Sequence, residues 1–246
     1  MRWLRRVAEA LARGHRASVA ARATEAELTE LLHETSPSPD PEIANLLDRV
    51  RDYRRAEIDG HLLESWRTLG TERFLEHIAV LCEAVGRAWV DGALDVRHEH
   101  FLTGVLRDFL HARRQEFPIR AGDPIVVLAT LPGERHGLGL QMAALVCVEK
   151  RCTPHILGAE MPVIELVRSA HELDAAAVAI GVSLASGGVE TDRLLKEIRR
   201  GLPDGTALLV GGAGARRGRS GARGTVYLKG ARDLADWLER NRAGTR

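Results

Sequence analysis

The sequence predicts a helical bundle followed by a doubly wound α/β domain built on a parallel sheet. Three observations predict it. From Glu42 to Phe117, apolar residues recur at helical spacing throughout. After Pro118, short continuous apolar runs take over, which is how strands covered on both faces read. Helical stretches lie between most of those runs, and that alternation argues for a parallel sheet with crossover helices.

In chain order, the stretch from Arg2 to about His33 carries Leu4, Val7 and Leu11, then Leu28, Leu31 and Leu32, which predicts a few short helices broken at Gly14. Ser36-Pro37-Ser38-Pro39-Asp40-Pro41 reads as a linker, because each proline lacks a donor and restricts its predecessor. Phe74, Ile78, Leu81, Val85 and Trp89 then share one helix face, and Leu102, Val105 and Phe109 another. Gly60, Gly70 and Gly92 fall where runs end, so about four helices are expected, paired most simply as an antiparallel bundle. Strands are expected at Ile125–Ala129, Thr153–Leu157, Ala176–Val182, Ala207–Val210 and Thr225–Leu228. Helices are expected at Leu138–Lys150, Val163–His171, Thr191–Arg200 and Arg232–Arg240. The expected domains are residues 1–35, 42–117 and 122–242.

Composition narrows the function. The 246 residues, 45% of them hydrophobic, suffice for one large or two modest cores. A net charge of +1 provides no global field toward nucleic acid or membrane. Cys82, Cys147 and Cys152 are an odd number without CxxC spacing and read as reduced core residues of a cytosolic protein. The N-terminus alternates arginine with apolar residues, which fits neither a signal peptide nor a membrane span, so a cytoplasmic location is expected.

Ligands of doubly wound sheets bind outside the carboxyl ends of the strands. After the first strand comes Leu131-Pro132-Gly133-Glu134-Arg135-His136-Gly137-Leu138-Gly139; after the third, Ser183 and then Ser186-Gly187-Gly188; after the fourth, Gly211-Gly212-Ala213-Gly214. The glycines do not spell GxGxxG and no phosphate loop is present, which argues against a dinucleotide. Glu134 and His136 instead suggest a metal ligand with a carboxylate to orient it. A loop histidine bonded to its neighbour explains these two residues equally well. One histidine holds a free ion poorly, so a metal here should arrive inside a macrocycle. His98 and His100 flank Glu99, but positions two apart on a helix face different ways, which argues against zinc there.

Glu134-x-His136-x-x-Gly139, Ser183 and Gly211-Gly212 together resemble the Asp-x-His-x-x-Gly, Ser-x-Leu, Gly-Gly signature of cobalamin-binding domains in methionine synthases, mutases and corrinoid proteins. The resemblance implies a flavodoxin-like domain with His136 as lower axial ligand of cobalt, Glu134 as its orienter and Gly137 and Gly139 beside it. It also implies Ser183 as a partner of the nucleotide tail and Gly211 with Gly212 as the wall of the tail slot. Glutamate replaces the usual aspartate, and Ala185 the usual leucine. In the helical region, Trp89 followed by Glu99-His100 resembles the Trp, nine residues, Glu-His pattern of light-dependent, cobalamin-binding repressors of carotenoid genes. There the tryptophan lies against the upper axial adenosyl group, with the Glu-His pair nearby. Spacing alone makes Trp89 a core residue. The best-known photoreceptors of that group carry a histidine directly after the tryptophan; Val90 stands there in this chain, so a light response must end in another adduct or use His100. Finally, Trp3-Leu4-Arg5-Arg6-Val7 through Gly14-His15-Arg16 to Leu31-Leu32 resembles the last helices of a MerR-type DNA-binding domain. The helix-turn-helix expected before it is not in the chain, so the chain is read either as a fragment of a longer regulator or as one that has lost direct DNA binding.

The expected function is therefore the sensor portion of a cobalamin-dependent, MerR-type transcriptional regulator, without enzymatic activity. Its ligand is adenosylcobalamin, with methylcobalamin as the alternative, and the resemblance implies a homo-oligomer. DNA is a partner if a helix-turn-helix precedes the chain. The rival expectation is a corrinoid carrier of a methyltransferase or mutase system, and a third is an antirepressor that binds another transcription factor.

Overall fold

The structure, a computed structural model, describes Trp3, Arg6, Val7, Ala10 and residues 17–33, 40–215 and 224–242. Two compact units cover residues 1–106 and 107–246.

The first unit contains α1 (Ala17–Ala20), α2 (Glu25–His33), α3 (Pro41–Arg51), α4 (Arg55–Leu69), α5 (Thr71–Val90) and the start of α6 (Val96–Arg114). Local chemistry explains the starts. Thr24 and Glu27 form a capping box: the Thr24 amide donates to Oε2 of Glu27 (2.7 Å), and the Glu27 amide donates to the Thr24 hydroxyl (3.2 Å). Asp40 caps α3 by accepting from the Glu42 amide (2.9 Å), and Pro41 sits in the first turn, where its missing donor costs nothing. The prolines before it lie outside the described residues.

α3 packs on α4 and α5, and α4 on α5, over a core that includes Leu46, Ile58, Leu62, Phe74, Ile78 and Leu81. Gly60 does not end a helix as its composition suggested; it lies inside α4. A mid-helix glycine costs about 1 kcal/mol relative to alanine, and burial of Ile58 and Leu62 on either side outweighs that. Gly70 and Gly92 do follow helix ends.

A smaller apolar cluster joins Ala10, Ala20, Leu28 and Val90, with Val7, Ala23 and Trp89 packed against it. Arg6, almost fully buried, ties the segment down through Asp91 (3.2 Å) and the Glu25 carbonyl (3.3 Å). Gly14, His15 and Arg16, on which part of the MerR resemblance rests, lie outside the described residues.

The second unit holds five parallel strands, β1 (Ile125–Thr130), β2 (Thr153–Gly158), β3 (Ala177–Gly181), β4 (Ala207–Gly211) and β5 (Thr225–Tyr227), in the order β2-β1-β3-β4-β5. Between and after them run α7 (Leu138–Glu149), α8 (Val163–Glu172), α9 (Val189–Gly201) and α10 (Ala231–Arg242). Val127, Ala129, Val178, Ile180, Leu208 and Val210 face Leu166, Ala170, Leu194 and Ile198 of α8 and α9 in one core. α7, apolar around most of its circumference, packs on β1, β2 and α10, as a helix buried between layers must. The strand order reverses beside β1, so the crevice between the carboxyl ends of β1 and β3 is the topological switch point.

Candidate metal-ligand site at the sheet edge

The switch point is occupied by the residues the sequence singled out on β1 and β3. β1 ends in Thr130, whose hydroxyl donates to the Glu134 carbonyl (2.6 Å) and accepts from the Glu160 amide (3.0 Å). These bonds fold the loop after β1 so that Glu134 turns inward. Its side chain is 2% exposed, while that of His136 is 69% exposed.

One carboxylate oxygen of Glu134 accepts from the His136 amide (2.8 Å) and pairs with Nδ1 of the His136 ring (2.6 Å). The other accepts from the Ser183 amide (2.8 Å) and from the Ser186 hydroxyl. Burial pushes the Glu134 carboxyl up, but the bonds from the His136 ring, Ser183, Ser186 and the His136 amide together outweigh it and hold the group well below the usual carboxylate range. An ionised carboxylate only accepts, so Nδ1 must carry the proton. In the neutral ring the lone pair is then on Nε2. The site thus holds an exposed imidazole in one tautomer and orientation, the arrangement that makes histidine a good metal ligand.

The glycines divide into two kinds. A Cβ added at Gly137 or Gly139 would meet nothing within 4 Å, so the backbone there borders open space. A Cβ at Gly212, where φ is +104°, would come within 2.4 Å of the Val182 carbonyl oxygen, and one at Gly214 within 1.9 Å of that of Ser183. Gly212 and Gly214 therefore let the loop after β4 press directly on the loop after β3. A Cβ added at Gly211 would stand in ordinary contact with Leu228, 3.8 Å from its Cβ. Ser183 caps its own loop, its hydroxyl accepting from the Ala185 amide (3.2 Å).

The structure brings Glu134, His136 and Ser183 together as the sequence suggested and adds Thr130 and Ser186. Thr130 had a signal, a hydroxyl closing an otherwise apolar strand. Ser186 had only its place three residues after Ser183.

In the helical unit, His100 Nδ1 pairs with Glu99 (2.6 Å), and the other Glu99 oxygen accepts from the Thr103 hydroxyl (2.8 Å). His98 is buried and accepts from the Asp95 amide (2.8 Å), whereas His100 is exposed, so the two rings do not converge. Burial and the nearby Glu99 push the Cys82 thiol up to about 12. Trp89 is partly buried on the N-terminal cluster, and Val90 is 5% exposed within it.

A parallel sheet with a helical unit before it is a fold also found in a solved corrinoid protein. The monomethylamine corrinoid protein of Methanosarcina barkeri has it, with a TM-score of 0.59 at 14% identity over 82% of this chain and 99% of that one. In sequence, the chain is similar to the HTH-type transcriptional repressor CarH of Myxococcus xanthus, 32% identical over 146 residues that make up 58% of this chain and 48% of the repressor. The chain thus spans about half the length of the curated relative it matches. No family model matches it.

Proposed function

We propose that the chain is the cobalamin-binding sensor portion of a transcriptional regulator, with His136 as the lower axial ligand of cobalt. One observation carries this reading: the exposed His136 ring is fixed through Nδ1 to a buried carboxylate at the switch point of the sheet. The similarity to a transcriptional repressor supports the regulator class over the carrier class.

The residues present fit a corrinoid. A metal already held in a macrocycle needs one nitrogen donor from the protein, and a broad flat ring needs backbone without side chains, as at Gly137 and Gly139. When bound, cobalamin would supply a cobalt that accepts a nitrogen donor such as His136 and the chemistry of a cobalt–carbon bond. Glu134 keeps the proton on Nδ1 and the lone pair on Nε2. Ser183, Gly211 and Gly212 serve the nucleotide tail, while Trp89, Glu99 and His100 serve the upper axial group. That group is adenosyl, and light is the input. The chain is not an enzyme; it works in the cytoplasm as a homo-oligomer, and ligand binding shifts the population of its oligomeric states. DNA is the partner of the regulator as a whole if a helix-turn-helix precedes this chain.

Titration with adenosylcobalamin in the dark tests the ligand assignment. The protein should take up cobalamin with a shifted absorbance spectrum, and His136→Ala should abolish the shift. Unchanged affinity and spectrum in that variant contradict the assignment. Size-exclusion chromatography in dark and light then separates sensor from carrier, because a carrier keeps one oligomeric state in both.

A further inference from the structure

His61 and His77 face each other from neighbouring helices of the first unit. His61 lies in the middle of α4 and His77 in the first half of α5, and their Nε2 atoms are 3.0 Å apart. The Ser65 hydroxyl, one turn further along α4, is 3.3 Å from Nε2 of His61. From the first turn of α3, Oε1 of Glu42 reaches to 3.7 Å from Nδ1 of His61. One potential ligand atom from each of Glu42, His61 and His77 lies within 4.8 Å of the other two.

We propose that Glu42, His61 and His77 form a transition-metal site, suited to Zn²⁺, that joins α3, α4 and α5. The chemistry of the set points to a borderline ion, because imidazole nitrogens with one carboxylate oxygen suit zinc and its neighbours better than calcium or magnesium. The spacing fits as well. Two nitrogens bound tetrahedrally at about 2.0–2.1 Å from zinc stand roughly 3.3 Å apart, so the rings need move only a few tenths of an ångström. Burial pushes the His61 ring below its usual range, Glu42 pulls it up, and His77 and Arg49 push it down. Arg49 lies 3.5 Å from Glu57 and is partly offset by it. Glu42 is exposed, which leaves its carboxylate able to turn onto an ion while water completes the coordination.

None of these residues belongs to the His136 site, so this proposal stands or falls separately from the cobalamin reading. The test is Zn²⁺ binding to the full chain after chelator treatment, measured in competition with a chromophoric chelator. Wild type should bind one equivalent of Zn²⁺; His61→Gln and His77→Gln should each lose it, and Glu42→Gln should bind more weakly. Failure of wild type to bind stoichiometrically, or retention of binding by both histidine variants, overturns the site. A second measurement needs no variant to fold. Zn²⁺ should protect His61 and His77 of the wild-type protein from diethylpyrocarbonate, as located by mass spectrometry, and equal modification with and without Zn²⁺ overturns the proposal.

Discussion

Glu134→Gln is the most informative single change, because the amide keeps the shape of the side chain and alters only what it can accept. In the native site each oxygen accepts two hydrogen bonds, one from the His136 amide and ring, the other from the Ser183 amide and Ser186 hydroxyl. Glutamine offers one acceptor oxygen and one NH₂ group. If its oxygen stays on the His136 side, the Ser183 N–H faces a donor; if it turns, the His136 N–H does. Either way one buried N–H is stranded and the remaining bonds lose their charge, which together cost roughly 2–4 kcal/mol. In calorimetry the transition of the second unit should then fall by roughly 5–15 °C. The turned amide also lets the ring move its proton to Nε2, so cobalamin affinity should fall by roughly 10- to 100-fold. Glu134→Asp keeps the charge on an arm one methylene shorter. It should retain ligation while losing the bonds to Ser183 and Ser186, and melt between the other two proteins. A Glu134→Gln protein with wild-type melting and wild-type cobalamin affinity refutes the reasoning.

Three further outcomes follow from the same geometry. Gly139→Ala adds a methyl to open space in the first turn of α7, so it should leave stability unchanged or raise it by up to about 1 kcal/mol in a denaturant melt. Cobalamin affinity should nonetheless drop roughly tenfold or more in a binding titration, because the methyl takes space meant for the ring. Gly214→Ala behaves oppositely, since its Cβ would fall 1.9 Å from the Ser183 oxygen; forcing the two loops apart should cost about 1–3 kcal/mol in the same melt. Because the folded Glu134 carboxyl lies below its unfolded range, its stabilisation is complete above an unfolded pKa of about 4 and is lost as pH falls below that. A thermal-melt series in acid should therefore show wild type losing stability more steeply than Glu134→Gln, and parallel curves would refute this.

Much of the fold was legible because burial on both sides leaves a plain mark. Ile125–Ala129 and Ala207–Val210 read as covered strands, and the structure places them inside the sheet. Gly60 was misread because a local signal, the low helix propensity of glycine, was overridden by apolar neighbours that a sequence pass does not weigh. Glu134 and His136 were legible as a pair because two residues on one loop must stay close. The second half of the carboxylate's environment was not. Ser186 reaches Glu134 only because parallel pairing of β1 with β3 brings two distant loops to the same sheet edge. His61 and His77 left no trace for the same reason, since only helix packing sets them 3.0 Å apart. Val90 was read by its place after Trp89 as a substituted ligand position, and the structure gives it a packing role against Ala10, Ala20 and Leu28.

Electron paramagnetic resonance of bound cob(II)alamin observes the proposed bond between a His136 nitrogen and cobalt. Protein carrying ¹⁵N-labelled histidine should turn the triplet superhyperfine splitting of the unlabelled complex into a doublet, and His136→Ala should show neither form of imidazole coupling. A triplet that survives histidine labelling means the nitrogen on cobalt comes from the cofactor's own base, which contradicts the account.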